Sequence, residues 1–127
     1  MHAHGTFDVK LTPQTDNLDS TLGRMTIEKQ IHGDLEATSK GQMLTVGTAV
    51  QGSGVYVAVE RITGQLNGRS GSFAVHHTGV MERGTAKLKI TIVPDSGTGG
   101  LTGISGTLDI TIIEGKHRYD LTYSLPQ

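Results

Sequence analysis

Alternation of apolar and polar residues with a period of two is the feature that most constrains this chain. Residues 7–11, 108–112 and 119–125 all alternate in this way, and no long segment shows the 3.6-residue periodicity of an amphipathic helix. Successive side chains of a β-strand point to opposite faces, so this pattern predicts half-buried strands and no substantial helix.

Turn-forming dipeptides divide the alternating segments from one another. They are Lys40-Gly41, Gly52-Ser53, Asn67-Gly68, Arg83-Gly84 and Glu114-Gly115. The predicted strands are residues 3–11, 23–38, 42–51, 54–66, 69–81, 85–94, 105–113 and 116–125, with a polar loop at 12–22 and a glycine-rich loop at 95–103. Because an open sheet of eight strands exposes its edges, we predict a closed eight-stranded antiparallel β-barrel, with a β-sandwich as the alternative.

Length and charge limit the class of protein. A chain of 127 residues suits a single domain, 1–127. It has no cysteine, which excludes disulfides and thiolate zinc sites and fits a reducing cytoplasm. A net charge of −1 gives no basic footprint for nucleic acid, and no apolar run approaches the ~20 residues of a membrane span. The first residues lack the charged and apolar regions of a signal peptide.

The turn at Asn67-Gly68 predicts which residues face the barrel interior. A two-residue turn fixes strand register, so Glu60 lies opposite Val75 and His77 shares their face. A second turn at Arg83-Gly84 continues this face into an apolar strand. We therefore expect Glu60 and His77 to point inward.

Two further turns extend the interior face toward the N-terminus. Gly52-Ser53 pairs Thr45 with Glu60, and Lys40-Gly41 pairs Thr45 with Glu36. Polar groups beside small residues indicate a cavity rather than a filled core. Its predicted lining is Glu36, Thr45, Tyr56, Glu60, Phe73, His77, Tyr119 and Tyr123.

The second predicted strand cannot point all of its inward residues to one face if it is regular. Met25, Ile27 and Ile31 lie at odd-numbered positions and Glu36 at an even-numbered one, so a regular strand would place Glu36 on the opposite face. A β-bulge at Gly33 would reconcile the two. A second conflict concerns Glu114-Gly115, whose turn places Asp109 opposite Asp120; like charges disfavour this pairing, so a one-residue shift stays open there.

Glu60 and His77 are the candidate catalytic pair. A carboxylate and an imidazole in a dry pocket act as acid and base near neutral pH. The alternative is a structural salt bridge, with Arg61 turned inward by a bulge, because an unpaired buried carboxylate would cost roughly several kcal/mol.

The other motifs indicate no metal site and no cofactor. His76 and His77 point to opposite faces, while His2 and His4 share a face at the chain terminus but are too few ligands. The sequence SGTGG at 96–100 has neither the spacing nor the following helix of a phosphate-binding loop.

Four blocks of sequence resemble a known family: HGDLEATSKG at 32–41, the segment 56–79 with YVAVER and GRSGSF, VPDSGTG at 93–99 with Leu101 and Gly103, and GKH at 115–117 with Tyr119, Asp120 and Tyr123. Together they resemble a bacterial family of small proteins known only as a domain of unknown function. The resemblance implies an allene oxide cyclase-like barrel with a cavity for an apolar small molecule, and it brings no established activity. Gly100 departs from the family, in which an acidic residue is usual after Ser-Gly-Thr-Gly.

Three functions remain open from the sequence. The preferred one is binding of an apolar or amphipathic small molecule inside the barrel. The second is an isomerase or cyclase that uses Glu60 with His77 or Tyr56. The third is a structural or interaction protein without a ligand.

The same register predicts an apolar patch on the outer wall. It sends seven residues on three adjacent strands outward: Leu35, Leu44, Val46, Val50, Val55, Val57 and Val59. An exposed patch of this kind marks a contact surface, and two-fold symmetry is its usual form. We therefore predict a homodimer through Leu44, Val46, Val57 and Val59, unless these residues fill the core.

Overall fold

Strands form almost the whole chain in the computed structural model, which describes residues 1–14 and 19–126. They are β1 His2–Gln14, β2 Leu22–Gly33, β3 Leu35–Gly47, β4 Gly54–Leu66, β5 Arg69–Glu82, β6 Thr85–Ile92, β7 Thr98–Gly99, β8 Ser105–Ile113 and β9 Lys116–Ser124. The described residues contain no helix, and so none that is long and apolar enough to cross a membrane.

Eight of these strands close into an antiparallel barrel. The hydrogen-bonded order runs β1-β2-β3-β4-β5-β6-β8-β9, and β9 returns to pair with β1. The two-residue strand β7 pairs only with β5, beside the ring. The predicted closed eight-stranded antiparallel barrel is confirmed, because every strand of the ring has two neighbours.

Three of the predicted turns set the register as expected. Glu60 lies opposite Val75, and His77 lies opposite Ile90. Asp109 does face Asp120, so no one-residue shift occurs between β8 and β9. These turns are tight because Asn67, Arg83 and Glu114 each adopt positive φ ahead of a glycine.

The predicted turn at Lys40-Gly41 is wrong. β3 runs without interruption through both residues, and the chain instead reverses at Gly33, whose φ is 115°. The predicted strand 23–38 is therefore two strands, and the expected bulge at Gly33 is a turn. Reversal there places Leu35 inside, at 1% exposure, and Glu36 outside, which is the opposite of the predicted directions.

The connection between β3 and β4 is longer than predicted. Residues 48–53 form a loop, in which the Thr48 hydroxyl donates to the Ser53 carbonyl at 2.9 Å. Thr45 consequently faces Tyr56 rather than Glu60. On β4, Tyr56 lies an even number of residues before the predicted partner Glu60, so the Thr45 side chain keeps its predicted inward direction.

The predicted polar loop 12–22 is shorter in the structure. Its first residues belong to β1, which continues to Gln14, and residues 15–18 lie outside the described part.

The barrel has a closed end, where β4 finishes. The glycine-rich connection between β6 and β8 folds across this end and buries Leu101 and Ile104. Ser96 fixes the loop, because its hydroxyl donates to the Val93 carbonyl at 2.7 Å and accepts from the Ala74 amide at 3.0 Å. The loop is therefore a plug that completes the apolar core.

The opposite end, where β4 begins, is open. Strands β6 and β8 are joined by only two residue pairs, Ile90 with Leu108 and Thr91 with Thr107. Beyond these pairs the two strands continue toward the open end without pairing to each other, which leaves a cleft in the wall. Four apolar residues on inward-facing positions are 43–64% exposed at this end: Leu11, Met81, Leu88 and Ile112.

Candidate functional site

Glu60 lies at the centre of the candidate site, midway along β4. It is 3% exposed, and its cross-strand neighbour on β3 is Gly41. A Cβ atom at Gly41 would meet the Val59 carbonyl oxygen and would lie 2.7 Å from the Glu60 Cγ, so the glycine leaves room for the backbone and side chain of β4 at this point. The glycine that the sequence analysis assigned to a turn therefore serves the site.

Three side chains from three other strands meet the Glu60 carboxylate. The Lys29 ammonium donates to Oε2 at 3.0 Å, and the Ser39 hydroxyl donates to Oε1 at 2.6 Å. His77 Nε2 contacts Oε2 as well. We call Lys29, Ser39, Glu60 and His77 the central network; it lies among apolar side chains inside the barrel.

The central network keeps Glu60 ionised. Burial raises the pKa of the carboxyl, but the hydrogen bond from His77, the charges of Lys29 and His77, and the Ser39 hydroxyl outweigh it and lower the pKa to about 2. A buried carboxylate with a cation at 3.0 Å is a paired charge, as its location requires.

The sequence analysis missed two residues of the central network, Ser39 of β3 and Lys29 of β2. Lys29 is the ion-pair partner of Glu60 inside the barrel. Its side chain is only 11% exposed, and the ammonium also lies 4.8 Å from the centroid of the Phe7 ring. The alternating pattern does predict an inward side chain at this position, because Lys29 alternates in step with Ile27 and Ile31. Arg61, the partner proposed from sequence, instead points outward and donates to the Ser72 hydroxyl at 3.3 Å.

Tyr56 lies between the central network and the open end. Its half-buried ring packs over the backbone of Gly79, with a centroid 6.3 Å from that of His77. Burial and the nearby Glu60 charge raise the pKa of the Tyr56 hydroxyl, which therefore stays protonated. Thr45 faces it across the β3–β4 pair, so both place polar groups near the mouth of the barrel.

The other aromatic residues of the predicted lining contact the core and the closed end, and Tyr119 also lines the small space around the central network. Phe73 is fully buried in the core. The Tyr119 hydroxyl accepts from the Leu35 amide at 3.0 Å and donates to the His32 carbonyl at 2.9 Å, while the Tyr123 hydroxyl accepts from Asn67 Nδ2 at 2.7 Å. These contacts stabilise the closed end.

Glu36 is not part of the central network. It is exposed, and its Oε1 accepts a hydrogen bond of 2.7 Å from the Gly33 amide. That bond and the His32 side chain lower the pKa of Glu36. The predicted interior location is wrong because the chain turns at Gly33, and Glu36 stabilises that turn instead.

Among the residues that the structure describes, those in the middle of the barrel enclose only a small space and not the ligand-sized cavity that the sequence predicts. The space around the central network measures about 20 Å³, enough for one water molecule. Lys29 and large residues such as Phe7 and Ile62 fill the volume that the small residues of β3 and β4 leave. Toward the open end the inward-facing apolar side chains are more exposed than those around the central network.

The outer wall carries the predicted apolar patch. We define the outer patch as Leu44, Val46, Val55, Val57 and Val59, each 39–59% exposed. All of them except Val59 line a groove of about 410 Å³, together with Leu22, Gly23 and Arg24 of β2. Their outward direction is confirmed, as it is for Val50, and only Leu35 of the predicted set is buried. The dimer itself stays a prediction.

Fold and site together define a small closed antiparallel barrel with a buried ionic network beneath one open apolar end. The family of proteins of unknown function DUF3224 matches residues 3–123, so the chain belongs to the DUF3224 family. A crystal structure of a DUF3224 protein with unknown function from Shewanella oneidensis MR-1 is similar, with 44% identity, a TM-score of 0.96, and coverage of 100% of this chain and 98% of that chain. No curated protein matches the chain. The resemblance to allene oxide cyclase stays a prediction.

Proposed function

We propose that this barrel binds an apolar or amphipathic small molecule at its open end. One observation carries the proposal: inward-facing apolar side chains stay exposed at that end, although the closed end is fully packed. Leu88 on β6 and Ile112 on β8 lie on either side of the wall cleft, at 43% and 64% exposure. Clustered exposed apolar surface of this kind marks a binding site.

Methionines make the open end adaptable. Met25 and Met43 face each other across the β2–β3 pair, and Met81 lies on the inward face of β5 nearer the rim. Methionine is unbranched and polarizable, so a surface rich in it accommodates different apolar shapes. This lining supports a broad class of hydrocarbon-rich ligands rather than one rigid molecule.

The polar groups beneath this lining support an amphipathic ligand. Tyr56, Thr45 and His117 are half-buried polar residues on inward-facing positions toward the mouth, and His117 lies directly opposite Ile112. The central network deeper in the barrel carries paired charges. A molecule whose apolar part contacts the methionines would direct a hydroxyl or carbonyl group toward the Tyr56 hydroxyl. A few placed polar groups within an apolar lining are typical of ligand pockets.

Binding fits this geometry better than acid–base catalysis. A general base works best with a pKa near the operating pH, and the Glu60 carboxylate has a pKa of about 2. Its oxygens are also occupied by Lys29, Ser39 and His77. We therefore assign the central network to holding the floor of the site, and we do not propose the isomerase reaction.

The test uses 8-anilinonaphthalene-1-sulfonate, an amphipathic probe that fluoresces in apolar sites. We expect saturable binding with one probe per chain, and an affinity at least tenfold weaker in Leu88→Asp. Val59→Asp is the matched control, since Val59 is an exposed apolar residue of the outer patch. Absence of saturable binding, or loss of binding in Val59→Asp with Leu88→Asp unaffected, would overturn the proposal.

A further inference from the structure

Three metal-ligating side chains meet on the outer wall, away from the open end. His2 and His4 project from the same face of β1, and Asp120 lies directly opposite His4 on β9. One ring nitrogen of each histidine and a carboxylate oxygen of Asp120 all lie within 4.8 Å of one another. The strand pair that joins the first strand to the last brings these residues together.

The distances from the two histidines to Asp120 match those between ligands of one metal ion. Each histidine Nδ1 is 3.4 Å from Asp120 Oδ1. Zinc binds histidine nitrogen and carboxylate oxygen at about 2.0–2.2 Å in tetrahedral geometry, which separates two ligand atoms by about 3.4 Å. The two imidazole rings are parallel within 4°, with centroids 6.0 Å apart, so they present their nitrogens together.

The strand segment that carries the histidines is held in place. The Met1 amine donates to the Tyr123 carbonyl at 3.0 Å, and the Tyr123 amide donates to the Met1 carbonyl at 2.9 Å. The sequence analysis discounted His2 and His4 because two histidines at a chain terminus are too few ligands. Pairing with β9 places both residues at defined positions in the barrel wall and brings Asp120 beside them as a third ligand.

A second, independent observation also indicates a cation here. Asp109 of β8 lies directly opposite Asp120, an arrangement that like charges destabilise. A shallow depression of about 350 Å³ is lined by His4, Asp109 and Asp120, together with Arg118. A bound cation would add positive charge beside the two facing carboxylates, in addition to the charge of Arg118.

We propose that His2, His4 and Asp120 bind a divalent transition-metal ion of the zinc class. Two imidazoles with a carboxylate favour zinc, nickel or copper over magnesium and calcium, which prefer oxygen ligands alone. The ion would bridge β1 and β9, the pair that closes the ring. Metal binding therefore stabilises the closed barrel, because the unfolded chain does not hold the three ligands together.

Calorimetric titration of the untagged, metal-free protein with zinc chloride tests this site. We expect one ion per chain with a micromolar Kd and a higher melting temperature in the presence of zinc. His4→Ala and Asp120→Asn each weaken binding at least tenfold and abolish the thermal shift. His32→Ala is the control, because His32 is an exposed histidine paired with a carboxylate, Glu36, elsewhere on the barrel.

Two outcomes would overturn the proposal. One is a wild-type protein that does not bind zinc at 100 micromolar. The other is equal zinc affinity in wild type and Asp120→Asn. The two histidines alone would then account for the binding, and Asp120 would not be a ligand. Asp120→Asn also relieves the repulsion with Asp109, so the variant keeps its fold and a loss of binding is not a loss of structure.

Discussion

Replacing Glu60 with glutamine isolates the charge at the centre of the barrel. The substitution keeps the size of the side chain and removes the negative charge. Lys29, with 11% of its side chain exposed, then loses its ion-pair partner at 3.0 Å. His77, which contacts the same carboxylate oxygen, loses its partner as well.

The expected cost follows in two ways. Removing one member of a buried ion pair costs about 3–5 kcal/mol, because it leaves an uncompensated charge. Independently, a pKa lowered from 4.5 to about 2 corresponds to about 3 kcal/mol of stability at neutral pH. We therefore expect Glu60→Gln to lower the free energy of unfolding by about 3 kcal/mol and the melting temperature by roughly 10 °C.

The pH dependence provides a second readout. Glu60 has a folded-state pKa below its unfolded value, so its contribution is fully present above about pH 5 and is lost as the pH falls toward 2. Urea unfolding of wild type and Glu60→Gln between pH 6 and pH 2 should show the difference in stability shrinking by about 3 kcal/mol. Glu82→Gln, at the exposed end of β5, should differ from wild type by less than about 0.5 kcal/mol.

A constant difference across this pH range would refute the reasoning, because the carboxylate would then contribute no ionised-state stability. Equal stability of Glu60→Gln and Glu82→Gln at pH 7 would refute it more directly. In that case the central network would be no more than a set of close side chains.

The remaining predictions concern packing, assembly and the closed end. Gly41→Ala should lose about 1–3 kcal/mol in urea unfolding, because its Cβ would meet the Val59 carbonyl oxygen and lie 2.7 Å from Glu60 Cγ. At Gly47 the nearest atom to an added Cβ is 4.0 Å away, so Gly47→Ala should be near neutral. Sedimentation at micromolar concentration should show a dimer for wild type and a monomer for Val46→Lys with Val57→Lys; a monomeric wild type would leave the outer patch without this role. Tyr119→Phe should cost about 1–3 kcal/mol in thermal unfolding, because a buried backbone amide loses its acceptor, and an unchanged melting temperature would count against that hydrogen bond.

Glycine explains both the successes and the failures of the sequence-based register. Asn67-Gly68 is a tight turn, and it places Glu60 and His77 inside as predicted. Lys40-Gly41 has the same local pattern, but its glycine lies within a strand and makes room for the Glu60 side chain. The two uses cannot be told apart from the dipeptide, because the deciding contact comes from a strand distant in sequence. The error reversed the direction of Glu36 and Leu35.

Lys29 shows a different limit of the sequence. Its position in the alternating pattern predicts an inward side chain, while its charge argues against burial. The conflict is resolved by Glu60, 31 residues away, which supplies the opposite charge inside the barrel. The open end was also beyond prediction, because it depends on how far β6 pairs with β8 across the intervening loop, and only two pairs form.

Methionine methyl groups provide the most direct measurement of ligand binding at the open end. The chain has four methionines. Met25, Met43 and Met81 lie on inward-facing positions toward the open end, and Met1 lies at the opposite end of β1 as an internal control. In a ¹³C-methyl-methionine NMR titration with dodecanoate, the account predicts saturable shifts for the first three methyl signals and none for Met1. Four unchanged signals up to millimolar dodecanoate, or a shift confined to Met1, would contradict it.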